Sequence, residues 1–267
     1  MRDGGNDAIP PCAATNMTPP IDKPLAGMLT LVLLPGMDGT GELFADFAAA
    51  LGARCHPVIV AYPMDKPLTY QALEDLVRAR LPTGEPFVLL AESFSGPVAI
   101  ALAAEHPPGL AGLILCCTFA RNPIPSLAGL KAVVGLLPIW TSLIPLLHPW
   151  LLGRFSLPRL KTALGTAVQK VAPDVFRTRL REVLQIDYCG RLRQVNVPTL
   201  YLRAQQDRLL PASIVTQFAH VERLEICDLA GPHLLLQTQP QATAAAILEF
   251  IEKSIHTTAS NREPASA

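Results

Sequence analysis

One serine, one aspartate and one histidine in this chain stand, in that order, where nucleophilic acyl chemistry would need them. A serine hydroxyl is a poor nucleophile until a histidine accepts its proton, and the histidine needs a carboxylate to fix its tautomer and stabilise its charged form. The serine is Ser93, in L-L-A-E-S-F-S-G-P-V-A. It lies between a short apolar run (86–90) and an alanine-rich run closed by Pro107 and Pro108, so the junction reads as strand, sharp turn, helix. A serine at such a turn is lifted above the sheet edge, provided that the residues two before and two after it are small. Ala91 and Ser95 are small. Ser95 competes for the role, but its own flanks would be Ser93 and Pro97, and it would lie inside the helix. Taken alone, the stretch also fits a serine that only caps the helix.

The carboxylate and the base should lie in loops after later strands. Asp207, in Y-L-R-A-Q-Q-D-R-L-L-P, follows the strand expected over 198–204. Asp187 precedes that strand and Asp228 lies within the end of the next, so both fit less well. His233, in D-L-A-G-P-H-L-L-L-Q, follows the strand expected over 224–229. Of the six histidines it alone falls in a post-strand loop near the last helix. A fourth part is the loop L-P-G-M-D-G-T-G (34–41). Its three glycines let the backbone turn closely over the serine, and the N–H groups of Met37 and Phe94 are the expected oxyanion-hole pair. A phosphate-binding loop is the rival reading, but the chain has neither G-x-x-x-x-G-K-[ST] nor G-x-G-x-x-G.

The elements that would position these residues alternate. Strands are expected over 29–34, 57–61, 86–90, 113–118, 198–204 and 224–229. Helices are expected over 42–51, 70–81, 97–106, 173–185, 212–219 and 242–253. That order predicts a parallel sheet with crossover helices. With 50% hydrophobic and 16% charged residues, the 267-residue chain can bury a large core. Twenty-two basic residues balance 22 acidic ones without a long basic run, which gives no support to nucleic-acid binding. Six cysteines show no metal-ligand spacing and read as reduced core thiols of a cytoplasmic protein; no metal or cofactor is implied. Residues 1–27 are rich in proline and lack a continuous apolar stretch, so a disordered leader is expected there rather than a signal peptide, and a disordered tail over 257–267.

The alternation stops over 121–190, between a first core part (28–120) and a second (191–256). A helical block inserted between strands of one sheet reads as a cap over the carboxyl edge, where ligands bind in open α/β sheets. Its stretch 132–152 has no charge over 21 residues except His148, the length of a membrane span, but Pro138, Pro145 and Pro149 and the strands on both sides argue for a cap. Superficial membrane or lipid contact through the cap is the alternative. Trp140, Leu143, Leu147 and Trp150 are the expected substrate-binding residues, lining an apolar acyl pocket.

With these residues in place, the chain resembles the α/β-hydrolase superfamily over residues 28–254. The stretches that carry the resemblance are L-V-L-L-P-G-M-D-G-T-G, L-L-A-E-S-F-S-G-P-V-A, P-T-L-Y-L-R-A-Q-Q-D-R-L-L-P and G-P-H-L-L-L-Q-T-Q-P. The resemblance implies an α/β-hydrolase fold, a mostly parallel sheet flanked by helices with an inserted helical cap. It also implies Ser93 as nucleophile, Asp207 as acid and His233 as base. Pro35 stands where many members have the histidine of a His-Gly pair, Glu92 where a histidine often precedes the nucleophile, and Ala91 and Ser95 replace the elbow glycines; the subfamily stays open. Serine at 93 argues against the similar haloalkane dehalogenases and epoxide hydrolases, which place an aspartate there. The P-G-x-D-G-T-G loop is similar to that of plant phytyl-ester-synthase-like acyltransferases. The expected function is cofactor-free serine carboxylesterase activity on a small-molecule ester of an apolar acyl group. Thioester cleavage and acyl transfer are alternatives on the same residues, and a non-catalytic ligand-binding protein is the rival from another class.

Overall fold

The computed structural model describes residues 28–132 and 144–256. The expected leader (1–27) and tail (257–267) lie outside the described residues. Six parallel strands form one sheet in the order β2-β1-β3-β4-β5-β6. They are β1 (Leu29–Leu34), β2 (Cys55–Ile59), β3 (Phe87–Glu92), β4 (Leu110–Cys116), β5 (Thr199–Ala204) and β6 (Leu224–Leu229). The α-helices are α1 (Ala45–Leu51), α2 (Tyr70–Arg78), α3 (Gly96–Ala104), α4 (Ile144–Leu151), α5 (Pro158–Gln169), α6 (Pro173–Gln185), α7 (Leu235–Thr238) and α8 (Pro240–Ile251).

The strands are apolar on both faces because both faces are covered. Val32, Leu34, Leu89 and Ala91 point into one core with Leu73 and Val77 of α2 and Val98 and Leu102 of α3. Their alternates Leu31, Leu33, Val88 and Leu90 point into the other, with Phe47 and Leu51 of α1 and Ile247 and Ile251 of α8. Helix α3 has no polar face, and all nine of its residues are buried. That explains its run of alanine: small side chains let a helix lie close against the sheet. Each leucine or isoleucine so buried contributes about 1.5–3 kcal/mol.

Several element boundaries differ from the sequence expectation. The second strand is Cys55–Ile59 rather than 57–61. Pro57 sits inside it, tolerated because β2 is an edge strand and loses no ladder bond on its open side. Strand β3 runs on to Glu92, which pairs with Cys116, so the strand reaches the residue before Ser93. Residues Ala212–Phe218 form a 3₁₀-helix instead of an α-helix, and the helix expected over 42–51 begins with a 3₁₀ turn at Glu42–Phe44.

Between β4 and β5 the described residues carry α4, α5 and α6 and no strand beyond the single bridge Arg121↔Asp187. Leu152, Leu160, Leu164 and Val168 form a separate small core with Leu234, next to His233. The backbone N–H of Leu234 donates to the carbonyl of Leu151 at 3.2 Å.

The strand order has one consequence for chemistry. The chain leaves β1 for β2 on one side and returns to β3 on the other, so the loops after β1 and β3 diverge at the carboxyl edge and leave a crevice. Leu34 pairs with Ala91, which sets the loop beginning at Pro35 level with Ser93.

Two glycines test the packing in opposite directions. A Cβ on Gly96 would stand 1.9 Å from Thr118 Oγ1, whereas one on Gly165 in α5 would meet nothing within 4 Å. Gly96→Ala is expected to lower unfolding free energy by about 1–3 kcal/mol, and Gly165→Ala to raise it by about 0.5–1 kcal/mol, both read by urea denaturation.

Candidate active site

Ser93 sits at the β3–α3 junction with φ of 48°, one of three non-glycine residues with positive φ among the described residues. Its carbonyl accepts a hydrogen bond from the Thr118 hydroxyl, and Tyr201 OH donates to the Thr118 carbonyl at 2.7 Å. The close approach of Thr118 is possible only because residue 96 is glycine. The turn is therefore held from β4 and β5 as well as by its own strand and helix.

The post-β5 and post-β6 loops are tied together by backbone bonds from Gln205 N–H to the Leu229 carbonyl and from Gln206 N–H to the Gly231 carbonyl, both 2.9 Å. This brings Asp207 and His233 side by side. His233 Nδ1–H donates to Asp207 Oδ2 at 2.8 Å, and Ser93 O–H donates to His233 Nε2 at 2.8 Å. The other Asp207 oxygen, Oδ1, accepts from the N–H groups of Leu209 at 2.8 Å and Leu210 at 3.0 Å. His233 and Asp207 have only 3% and 7% of their side-chain surface exposed. A hydroxyl bonded to an imidazole, whose other nitrogen is bonded to a buried and fully engaged carboxylate, can hand its proton to that imidazole as it attacks a carbonyl carbon.

The loop after β1 lies against this chain of bonds. A Cβ on Gly36 would be 4.0 Å from Ser93 Cβ. The carbonyl of Gly36 accepts from Gly39 N–H at 3.1 Å, and across a trans peptide this turns the N–H of Met37 the opposite way. Ser95 is engaged elsewhere. Its hydroxyl donates to the Pro35 carbonyl and accepts from Tyr62 OH at 2.6 Å, which fastens the loop to the elbow. Phe94 stacks on Tyr70 at 4.8 Å between centroids, and Tyr70 OH donates to the Phe94 carbonyl at 2.9 Å.

Glu92 is buried beneath the same loop. Gln237 Nε2 donates to its Oε2 at 3.1 Å, while Oε1 has no partner among the described residues. Burial, helped by the negative charge of Asp38, pushes its carboxyl up to about 7 against the opposing pull of Gln237 and His233. A cavity of about 210 Å³ opens beside Asp207, lined among others by Cys117, Tyr201, Arg203, Leu210 and Ile214 but by neither Ser93 nor His233.

Of the residues expected to line an acyl pocket, Trp150 is on α4 with 52% of its surface exposed. Trp140 and Leu143 lie outside the described residues, and so does the side chain of Leu147. Sequence reasoning missed Arg179, buried at 2% exposure against the post-β1 loop. Its signal was present: in α6 it shares the buried face with Val175, Glu182 and Val183, where an apolar residue is the norm.

A model of the alpha/beta hydrolase family matches residues 31–246. The chain belongs to that family. It is 26% identical over 255 residues to RutD of Caulobacter sp. (strain K31), named as a carbamate hydrolase, covering 85% of this chain and 92% of that protein. Over 128 residues it is 33% identical to the chloroplastic phytyl ester synthase 1 of Arabidopsis thaliana, covering 43% of this chain and 18% of the plant protein. The fold superimposes on a thermophilic esterase from Thermogutta terrifontis with a TM-score of 0.74 at 22% identity, over 85% of this chain and 90% of that one. Among the described residues, no helix is long and apolar enough to cross a membrane.

The buried Glu92 makes a prediction for stability. Its folded-state pKa, about 7, lies above its ordinary value of 4.5, so between these pH values the folded form holds the proton more tightly than the unfolded form. Its contribution is complete below about 4.5 and is lost as pH rises through about 7. Glu92→Gln is expected to flatten the fall in unfolding free energy across that window, measured by urea denaturation at stepped pH. An unchanged pH slope in the variant would refute the assignment.

Proposed function

We propose that the protein is a serine hydrolase that cleaves carboxylic esters of apolar acyl groups through an acyl-enzyme on Ser93. The observation that carries this reading is the unbroken hydrogen-bonded chain Ser93–His233–Asp207 at the sheet's switch point. In the proposed first step Ser93 Oγ bonds to the carbonyl carbon, its proton passes to His233 Nε2, and the carbonyl π pair moves onto oxygen. The N–H groups of Met37 and Phe94 stabilise that oxyanion. The bond to the alkoxide then breaks, and the leaving oxygen takes the proton from Nε2. Water repeats the sequence on the acyl-enzyme, with its proton going to Nε2 and then to Ser93 Oγ. Asp207 keeps Nδ1 protonated throughout and stabilises the imidazolium.

The helical segment between β4 and β5 is proposed as the cap over this site, and the apolar stretch 132–152 as the source of the acyl pocket. The small core that joins α4 and α5 to Leu234 supports a cap seated beside His233. Acyl transfer to an alcohol is a second reading, supported by the local similarity to phytyl ester synthase 1 over 128 residues. A carbamate offers the same carbonyl geometry, and the name of RutD makes it a substrate class to include.

Ser93→Ala is expected to reduce ester hydrolysis to near background with the fold retained, and Asp207→Asn to cost about 10⁴-fold in kcat. A fluorophosphonate probe should label the wild type at Ser93 only, as read by peptide mass. For straight-chain esters, kcat/KM should rise with acyl length, each buried methylene contributing up to about 0.8 kcal/mol until the pocket is full. Running the series with carbamates, and with a long-chain alcohol as competing acceptor, separates the three readings. Absence of labelling and of turnover in every arm would leave a binding protein on this fold.

A further inference from the structure

The post-β1 loop is held in an unusually complete way. Four successive carbonyls, those of Pro35, Gly36, Met37 and Asp38, each have a named donor. Pro35 accepts from the Ser95 hydroxyl and Gly36 from Gly39 N–H. Arg179 Nη1 donates to the carbonyls of Met37 at 2.9 Å and Asp38 at 2.8 Å, and Nη2 to that of Pro63 at 2.9 Å. The guanidinium lies 5.8 Å from the centre of the Tyr62 ring, whose hydroxyl reaches Ser95. The Asp38 carbonyl shares its peptide plane with the Gly39 N–H, which donates to the Gly36 carbonyl, whose own plane carries the Met37 N–H, so the hold of Arg179 on Asp38 is passed along the loop to that N–H.

We propose that Arg179, carried on α6, is the positioning residue of the oxyanion loop, holding the Met37 N–H aimed at the reacting carbonyl. This rests on the serine-hydrolase reading above. Burial weakens the hold of the guanidinium on its proton, while Asp38 and Tyr62 oppose that effect; guanidinium is the side chain able to stay charged there and reach three acceptors in one plane. Gly39 fits the same design. Its φ is 71°, and a Cβ there would stand 2.5 Å from Arg179 Nη1, so the glycine leaves the arginine its place. Helix α6 also reaches the second oxyanion residue: Glu182 Oε2 accepts from Tyr70 N–H at 2.8 Å, and Tyr70 OH holds the Phe94 carbonyl. The segment proposed as the cap is thereby tied to the loop of Met37 and, through Tyr70, to the backbone of Phe94.

The test uses the full chain and an aliphatic trifluoromethyl ketone, whose carbonyl adds Ser93 Oγ to form a stable tetrahedral oxyanion while the serine proton moves to His233. Arg179→Lys keeps the charge but replaces the fixed planar fork of the guanidinium with a point ammonium. It is expected to lower kcat by about 10²-fold or more, the scale of losing one oxyanion donor, with KM changed by less than about threefold. Affinity for the ketone should fall in parallel, and added guanidinium should restore part of kcat to Arg179→Ala. Gly39→Ala, which both strains the loop at a positive φ and crowds the guanidinium, should show the same split. A folded Arg179→Lys variant that keeps kcat, or loses only KM, or binds the ketone as tightly as the wild type, overturns the proposal. If neither variant folds, Arg179 is a structural residue and the positioning role is also overturned. A wild type that neither turns over substrate nor is labelled at Ser93 overturns the serine-hydrolase reading and this proposal together; an active wild type with an indifferent Arg179→Lys overturns this proposal alone.

Discussion

The structure depends on holding one residue, Ser93, in a left-handed backbone conformation between a buried strand and a buried helix. An L-residue in that region costs about 1–2 kcal/mol, so it persists only where its surroundings over-determine it. Here the constraint comes from three directions. Strand β3 is paired on both sides up to the turn, α3 is buried on every face, and the Thr118 hydroxyl reaches the Ser93 carbonyl through the gap that Gly96 leaves. The apolar packing of two core layers supplies the free energy, and the result is a hydroxyl lifted clear of the sheet edge, facing His233.

Polar groups around that hydroxyl follow the rule that buried charge is tolerated when it is engaged. Asp207 spends one oxygen on two backbone N–H groups and the other on His233, which leaves it no reason to rotate. Arg179 is buried because backbone carbonyls surround it. Glu92 is the exception. One of its oxygens lacks a partner among the described residues, and its raised pKa is the physical answer: near neutrality a proton replaces part of the missing partnership.

Family membership and geometry bear on different questions. The family match and the superposition on the Thermogutta esterase concern the scaffold, which hosts many chemistries. The bonds among Ser93, His233 and Asp207 carry the proposed chemistry, and the apolar stretch 132–152 carries the proposed substrate class.

What the sequence determined by itself was local. The strands Leu29–Leu34 and Leu224–Leu229 and the helix Pro173–Gln185 carry their own signals of period, apolar content and proline position, and they appear with the expected bounds. The turn at Ser93 was legible for the same reason, since small flanking residues and a strand-to-helix change are matters of neighbouring positions. Pairing in space was not. Met37 and Arg179 are 142 positions apart, and nothing within the run of arginines at 177, 179 and 181 distinguishes the buried one except its place on the helix's apolar face. The double role of Ser95, the Thr118 support and the elevated Glu92 carboxyl likewise arise only when β1, β3, β4 and β5 lie side by side. Hydrogen bonds of that kind, and the desolvation that shifts a pKa, are properties of groups brought together by sheet order and burial, which chain order does not contain.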